Sequence, residues 1–260
     1  MQHYFEGKKV LITGASSGIG RALTIALSSF NTNLVLASRN TKALRVVAAE
    51  CHTNAHLIIA KLDLSSREQH FKFARKFNDF DLVFHNAGIS QRSLVAETVF
   101  DVDYKLIEVN YLGTVHLIKL LLPSMLKKGS GYFIVITSLT GLIPTPYRSS
   151  YAASKHALHG FFDSMRAELE SQGIHITLIA PGFVQTNVSV NALISDGRIL
   201  GKMDDAQANG ITADYCAHQI LRATSKKKRL QLIGRKSYSV WVRRFFPSLF
   251  ARLIKKAKVR

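Results

Sequence analysis

Seven short apolar runs, separated by stretches long enough to form helices, set the tightest limit on how this chain can fold. They are Val10-Leu11-Ile12, Leu34 to Ala37, His56 to Ala60, Leu82-Val83-Phe84, Tyr132 to Ile136, His175 to Ile179 and, more weakly patterned, Leu230 to Ile233. Successive strand residues point to opposite faces, so a continuously apolar strand needs cover on both. Helical patterns over Gly18 to Phe30, Thr41 to Cys51, Ser65 to Phe77, about Asp103 to Leu126, and Tyr151 to Ser171 supply it. The 260 residues, 47% hydrophobic, suffice for one large core. The pattern predicts a single doubly wound α/β domain of Rossmann type, with a mainly parallel seven-stranded sheet over 1–236. A basic amphipathic helical extension covers 237–260. No internal repeat, low-complexity linker or second globular domain interrupts this order.

The first run leads straight into Thr13-Gly14-Ala15-Ser16-Ser17-Gly18-Ile19-Gly20. Glycines let a backbone turn sharply and approach a pyrophosphate, and the helix N-terminus that follows favours negative charge. The spacing Gly-x-x-x-Gly-x-Gly is not the commonest dinucleotide fingerprint. Its position after the first strand nevertheless marks it as a cofactor loop rather than an ordinary turn. The second run ends in Ser38-Arg39-Asn40, without the acid that would bind a ribose hydroxyl and repel a 2′-phosphate. Arg39 suits that phosphate, so NADP(H) is expected over NAD(H). Ser16 and Asn40 are placed to add hydrogen bonds.

Tyr151 and Lys155 stand four residues apart on one helix face, 13 residues after Ser138. A cation beside a phenol favours the phenolate, so the tyrosine pKa is expected to fall from about 10. A phenol tuned in this way can exchange a proton with a carbonyl or alcohol oxygen. Singly, each of these residues reads as a surface aromatic, a solvated charge or a turn cap. Their coincidence with the glycine loop argues for chemistry.

In order and spacing, these motifs resemble the short-chain dehydrogenase/reductase family over roughly residues 6–235. The resemblance implies that Asn110, Ser138, Tyr151 and Lys155 form a catalytic tetrad. Ser138 would bind the substrate oxygen, Tyr151 would exchange the proton, Lys155 would hold the ribose and depress the tyrosine pKa, and Asn110 would position a water. It further implies that Asp63-Leu64 meets the adenine and that Pro181-Gly182 and Thr186 meet the nicotinamide carboxamide. His85-Asn86-Ala87-Gly88 stands where the family has Asn-Asn-Ala-Gly, a change expected to be conservative in hydrogen bonding. Pro181 to Ala192 and Gly201-Lys202-Met203-Asp204 are similar to the dehydrogenase/reductase member-7 branch. That branch implies membrane association through N-terminal segments not seen in these 260 residues. A dimer or tetramer is also implied.

Leu139 to Tyr147, with Phe183 and Val184, predicts mostly apolar substrate walls around Ser138 and Tyr151, suited to an apolar ketone, aldehyde or alcohol. The glycine-dotted stretch from Asn187 to Gly210 reads equally as a mobile lid or a surface loop. Cys51 and Cys216 make no disulfide framework, and the ten histidines have no metal-ligand spacing, so no metal is expected. There is no apolar signal core near the N-terminus and no uninterrupted apolar stretch long enough to span a bilayer, so a cytoplasmic setting is the default.

The net charge of +18 is uneven, since residues 226–260 carry 13 Lys/Arg and no Asp or Glu. In that tail Trp241, Val242, Phe245 and Phe246, then Leu249, Phe250, Leu253, Ile254 and Ala257, alternate with Arg243, Arg244, Arg252, Lys255, Lys256 and Lys258. Such a basic amphipathic helix pair packs on the body or on a sister subunit, or lies on an anionic membrane surface. Nucleic-acid binding is disfavoured, because no recognition module accompanies the charge. The resulting expectation is an NADP(H)-dependent carbonyl/alcohol oxidoreductase, peripheral on the inner face of a membrane if the tail docks there. Its rivals are a non-catalytic NADPH-binding sensor or membrane-attached interaction protein on the same fold, and an NAD(H)-dependent dehydrogenase.

Overall fold

The computed structural model describes residues 1–255. After a short helix α1 (Gln2–Phe5), strand and helix alternate. They run β1 (Lys9–Thr13), α2 (Gly18–Ser28), β2 (Asn33–Ser38), α3 (Thr41–Ala49), β3 (His56–Lys61), α4 (Arg67–Lys76) and β4 (Leu82–His85). Then come α5 (Phe100–Ile107), α6 (Gly113–Lys128), β5 (Gly131–Ile136), α7 (Ser149–Leu169) and β6 (Ile174–Pro181). The chain continues through α8 (Asp205–Ala208), α9 (Ala213–Ser225), β7 (Leu230–Ile233), α10 (Ser239–Phe245) and α11 (Pro247–Ile254).

All seven anticipated strands form. They join one sheet in the order β3-β2-β1-β4-β5-β6-β7, with every neighbouring pair parallel. The both-faces argument holds residue by residue. Val10 and Ile12 of β1 pack with Leu23 and Leu27 of α2 and with Ile220 and Leu221 of α9. Leu11, between them, faces the other layer, with Leu117 and Leu121 of α6 and Phe162 of α7.

Helix α9 carries no clear pattern in the sequence. Its buried face is built from Cys216, Ala217, Ile220 and Leu221, and two of these are too small to mark a hydrophobic stripe. Thr212 caps it through the Tyr215 amide at 3.2 Å. Cys216 is thus a core thiol, pushed up to about 12 by burial.

The long helix expected from Asp103 begins earlier, at Phe100, and is interrupted by one wide π-helical turn over Glu108–Leu112. The 29-residue segment Phe100–Lys128 contains an 18-residue window of mean hydropathy 1.2, long and apolar enough by length and composition to cross a membrane. Here the segment is a core helix, with Val109, Leu117, Ile118, Leu121 and Met125 packed beneath the sheet.

Candidate active site

The C-terminal ends of β1, β2, β4, β5 and β6 open on one cleft of about 1060 Å³. Ligand pockets commonly span roughly 300–1,000 Å³, so this cleft is at the large end, as an extended dinucleotide requires. All anticipated site residues line it except Gly20 and Asn110, which stand behind it.

Gly14 has a φ of +67°, and a side chain there would strike Ala87 Cα at 2.8 Å. At Gly20 a Cβ would lie 2.2 Å from the Gly14 carbonyl oxygen, so this glycine lets α2 start directly behind the loop. No acidic residue occupies the first turn of α2, and Ser17 at its N-cap makes no side-chain capping bond. The first amides of the helix are therefore free of intrahelical partners and favour an anion. Asn86 does not turn its amide toward a ligand. Its Nδ2 donates to the carbonyls of Thr13 and Gly14 at 3.1 and 3.2 Å, which pins the loop. Thr186 closes over the loop, with its methyl 3.0 Å from where a Gly18 Cβ would stand.

At the end of β2, the Ser38 hydroxyl accepts from the Asn40 amide at 3.1 Å, and Asn40 caps α3 through the Ala43 amide at 3.0 Å. These two residues fold the turn that presents Arg39, which is exposed at the cleft. Burial pushes the Asp63 carboxyl up. The Ser65 amide and hydroxyl, then Arg39 and Lys105, outweigh that and hold it below its usual range.

The Ser138 hydroxyl donates to Thr140 Oγ1 and accepts from the Thr140 amide, both at 3.1 Å, and its polarity acts on the Tyr151 phenol to favour the ionised form. Lys155 Nζ lies 5.9 Å from the Tyr151 ring centre and donates to the Ile136 carbonyl at 3.0 Å. Asn110 sits in the π turn, where its Nδ2 donates to the Ile89 carbonyl at 2.9 Å and to Ser154 Oγ at 3.0 Å. Its Oδ1 accepts from the Ile89 amide at 2.8 Å.

Two expectations need correction. The Tyr151 pKa is raised, not lowered: burial dominates, and it is opposed by the Ser138 hydroxyl and by Arg148 and Arg92 rather than by Lys155. Nor is His85 conservative in hydrogen bonding. Both ring nitrogens are buried without a hydrogen-bond partner, and the ring packs 6.0 Å from Phe133. Burial pushes it down to about 3, so it is neutral.

The stretch from Asn187 to Gly210 is a wall of the cleft, tied down at several points. Leu193 exchanges backbone bonds with Ser90 and Arg92 at 2.9 and 2.8 Å. Asp204, 4% exposed, receives Arg92 Nε at 2.6 Å. Arg92, Arg148 and Lys236 also line the cleft, and nothing in the local sequence marked them. Arg92 and Asp204 meet across 112 residues of chain, and burial of this kind leaves no short-range signature.

The tail divides by face. Phe250 is buried with Leu139, Ile143 and Ala180, and Val240, Val242 and Ile254 pack against that cluster. Arg243 donates to the Leu142 carbonyl. Trp241, Phe245, Phe246, Leu249 and Leu253 are exposed, with Trp241 and Phe245 stacked at 6.1 Å. Lys256, Ala257 and Lys258 lie outside the described residues.

The glycine cradle, the uncapped helix and the cleft volume fit a nicotinamide dinucleotide. Among the described residues no cluster of His, Cys, Asp and Glu could hold a metal.

Burial lowers Lys155 to about 8 from its ordinary value of about 10.4. Between those values the unfolded chain binds the extra proton, so stability rises with pH across that window. Below it the full cost of burying the ammonium is present. Lys155→Met is therefore expected to be more stable than the parent at pH 7, by on the order of 1–3 kcal/mol. That gap narrows toward pH 10. Thermal unfolding of both proteins at the two pH values checks this, and a gap that does not change with pH would refute it.

Residues 8–195 match the family model described as short chain dehydrogenase. The chain is 38% identical to Dehydrogenase/reductase SDR family member 7B of Mus musculus, over 96% of this chain and 81% of that protein. It is 36% identical to the SDR family protein 7-like of Drosophila melanogaster, over 98% and 81%. A short chain dehydrogenase/reductase from Burkholderia phymatum, solved with NAD, superposes with a TM-score of 0.82 at 24% identity, covering 95% of this chain and 96% of that one. One from Burkholderia cenocepacia, solved with NADP, gives 0.81 at 22%, covering 96% and 98%. These two likenesses concern the fold. The matched family model and the relatives' identity over nearly the whole chain agree with the cleft's geometry, and the chain belongs to the short-chain dehydrogenase/reductase family of oxidoreductases.

Proposed function

We propose that this protein interconverts a carbonyl and an alcohol with NADP(H), using Tyr151 as acid and base. The observation that carries this reading is the convergence of Ser138, Tyr151 and buried Lys155 in one cleft with the glycine cradle, Lys155 Nζ standing 5.9 Å from the Tyr151 ring centre. When bound, the nicotinamide supplies or accepts the hydride. Ser138 hydrogen-bonds the substrate oxygen, and Tyr151 gives it a proton in reduction or takes one in oxidation. A raised phenol pKa suits the donating direction, because Tyr151 then holds its proton until the oxygen becomes basic. Lys155 holds the ribose and lends positive charge to the phenol once a ligand draws it from Ile136. Asn110 fixes the Ile89 backbone from behind and orders the proton path to solvent. Asp63 and Leu64 flank the adenine, while Pro181, Gly182 and Thr186 flank the carboxamide.

Arg39 supports NADP(H), since it is the exposed cation at the end of β2 with no acid beside it in sequence. A dimer or tetramer belongs to the same reading. Val95, Val99, Phe100, Tyr104 and Leu112 are large apolar side chains left exposed, which suits contact with a second copy. The tail adds a peripheral membrane site on the cytoplasmic leaflet. Trp241, Phe245 and Phe246 are 56%, 64% and 61% exposed, with Arg244, Arg252 and Lys255 nearby and also exposed. Aromatic side chains with basic neighbours suit the bilayer interface, at about 1 kcal/mol per cation near anionic lipid.

Tyr151→Phe is expected to bind NADPH normally and to lose turnover by roughly 10²-fold or more. Stopped-flow oxidation of NADPH against a panel of ketones and aldehydes reads this, and a fully active variant removes the assigned role. Arg39→Asp is expected to weaken NADPH by about 2–4 kcal/mol and to shift preference toward NADH. Dissociation constants for both cofactors decide it, and a parent protein that prefers NADH defeats the assignment. Trp241→Ser with Phe245→Ser and Phe246→Ser is expected to abolish co-sedimentation with anionic vesicles while leaving NADPH binding intact. Parent protein that ignores such vesicles at low salt removes the membrane site.

A further inference from the structure

Arg148 starts α7, three residues before Tyr151, and lines the cleft, yet it is only 5% exposed. Its Nε and Nη2 are buried and make no hydrogen bond. Buried guanidinium groups are ordinarily paired, because an uncompensated charge away from water is strongly unfavourable. Among the described residues the carboxylate that Arg148 meets, Asp204, is already shared with Arg92. Asp204 Oδ2 takes Arg92 Nε at 2.6 Å and stands 3.6 Å from Arg148 Nη2. Arg92 also donates to Ser90 Oγ at 2.9 Å and to the Gln91 carbonyl at 2.7 Å. Lys236 brings a third cation. Its Nζ is 5.4 Å from the centre of the Phe183 ring, and the Arg148 guanidinium is 5.0 Å from the same ring. Among the described residues, Arg92, Arg148 and Lys236 thus line the cleft around the one carboxylate, Asp204, that Arg92 and Arg148 share, and Arg148 keeps two donors without a hydrogen bond.

We propose that Arg148, supported by Arg92 and Lys236, is an oxyanion subsite, and that the substrate carries a carboxylate or phosphate close to its reacting carbonyl carbon. This deepens the carbonyl-reductase reading and rests on it for the identity of the second reacting group. Arg148 precedes Tyr151 by three residues at the start of α7 and lines the same cleft, and its charge acts on the Tyr151 phenol, so an anion held there stands at the Tyr151 end of the cleft. Burial and then Arg92 push Arg148 down to about 10, which leaves it charged at neutral pH but short of negative partners. Bidentate binding of a carboxylate or phosphate would use both free donors. The cofactor's 2′-phosphate does not compete for this place, because Arg39 lies at the end of β2, on the far side of β1 and β4. Leu139, Ile143, Phe183, Val242 and Phe250 remain as apolar lining, so the best ligand is an amphiphile with its charge at the Tyr151 end.

The test uses the full chain saturated with NADP+, which cannot reduce a ketone, and isothermal titration calorimetry. One pair of ligands is a long-chain alpha-keto acid and its neutral methyl ester. The other is a long-chain hydroxymethyl ketone and its phosphate ester. At least one anion is expected to bind about tenfold or more tightly than its neutral partner, and the larger ratio identifies the group. Arg148→Met should bring that ratio below about threefold, and Arg148→Lys should restore part of it, with NADPH affinity reporting that each variant is folded. Ratios near one for both pairs in the parent protein overturn the subsite without recourse to any variant. A ratio that survives in folded Arg148→Met or Arg148→Lys unchanged from the parent does so as well. Turnover with NADPH separates the two readings. Reduction of neutral and charged ketones alike sinks the subsite alone, whereas selective binding of the anion without reduction of any ketone sinks the Tyr151 reaction alone.

Discussion

Five hydrogen bonds made by side chains cross from the end of β1 to the end of β4, one of them from Thr13 Oγ1 to the Phe84 carbonyl at 3.4 Å. The Asn86 and Ala87 amides each donate to Thr13 Oγ1 at 3.1 Å, and the Asn86 side chain donates to the Thr13 and Gly14 carbonyls. They hold together the place where strand order reverses, with β2 and β3 added on one side of β1 and β5 to β7 added beyond β4. Connections leaving the strands there go to opposite faces of the sheet, so a crevice opens between them. The glycine loop, Arg39 and Asp63 then fall on one side of the crevice, and Ser138, Tyr151 and Lys155 on the other. The side chain of Asn86 serves as the clasp between the two halves.

Parts of the chain ruled by local physics were legible. Each buried strand had to be apolar on both faces, so its run stood out, and the glycine loop announced a backbone that allows no Cβ at Gly14 or Gly20. Helix α9 escaped because its core face is made of Cys216, Ala217 and two aliphatics among small residues. Arg148 escaped for a different reason. A sequence shows an arginine but not its solvation, and the crowding of Arg92, Arg148 and Asp204 arises only when segments distant in the chain converge. The same holds for Tyr151. Its neighbour at the next helical turn was evident, but the burial that outweighs any cation comes from the whole cleft. The tail was read correctly as amphipathic, and its division into a packed and an exposed face became visible only in three dimensions.

The cleft concentrates unfavourable electrostatics. A buried lysine, a phenol denied its ionised form, a neutral histidine without partners and two guanidinium groups sharing a carboxylate all lie in or beside it. Each would be relieved by an apolar replacement of similar shape, as buried ion pairs in other proteins have been. Their presence identifies this end of the sheet as the region where folding free energy is given up for chemistry. The opposite ends of the strands carry no comparable strain among the described residues.

Phe250 of the tail rests on Leu139 and Ile143, and Leu139 follows Ser138 directly in the chain. The inner face of the tail thus shares a hydrophobic cluster with the loop that holds the serine, while its outer aromatic face is open. Whatever engages the outer face and prefers the tail seated must also favour the seated arrangement of the Ser138 loop. By reciprocity, a ligand that orders that loop must strengthen engagement outside by the same factor. The molecule therefore has a built-in route for thermodynamic linkage between its exterior and its reacting centre, with a path only a few side chains long.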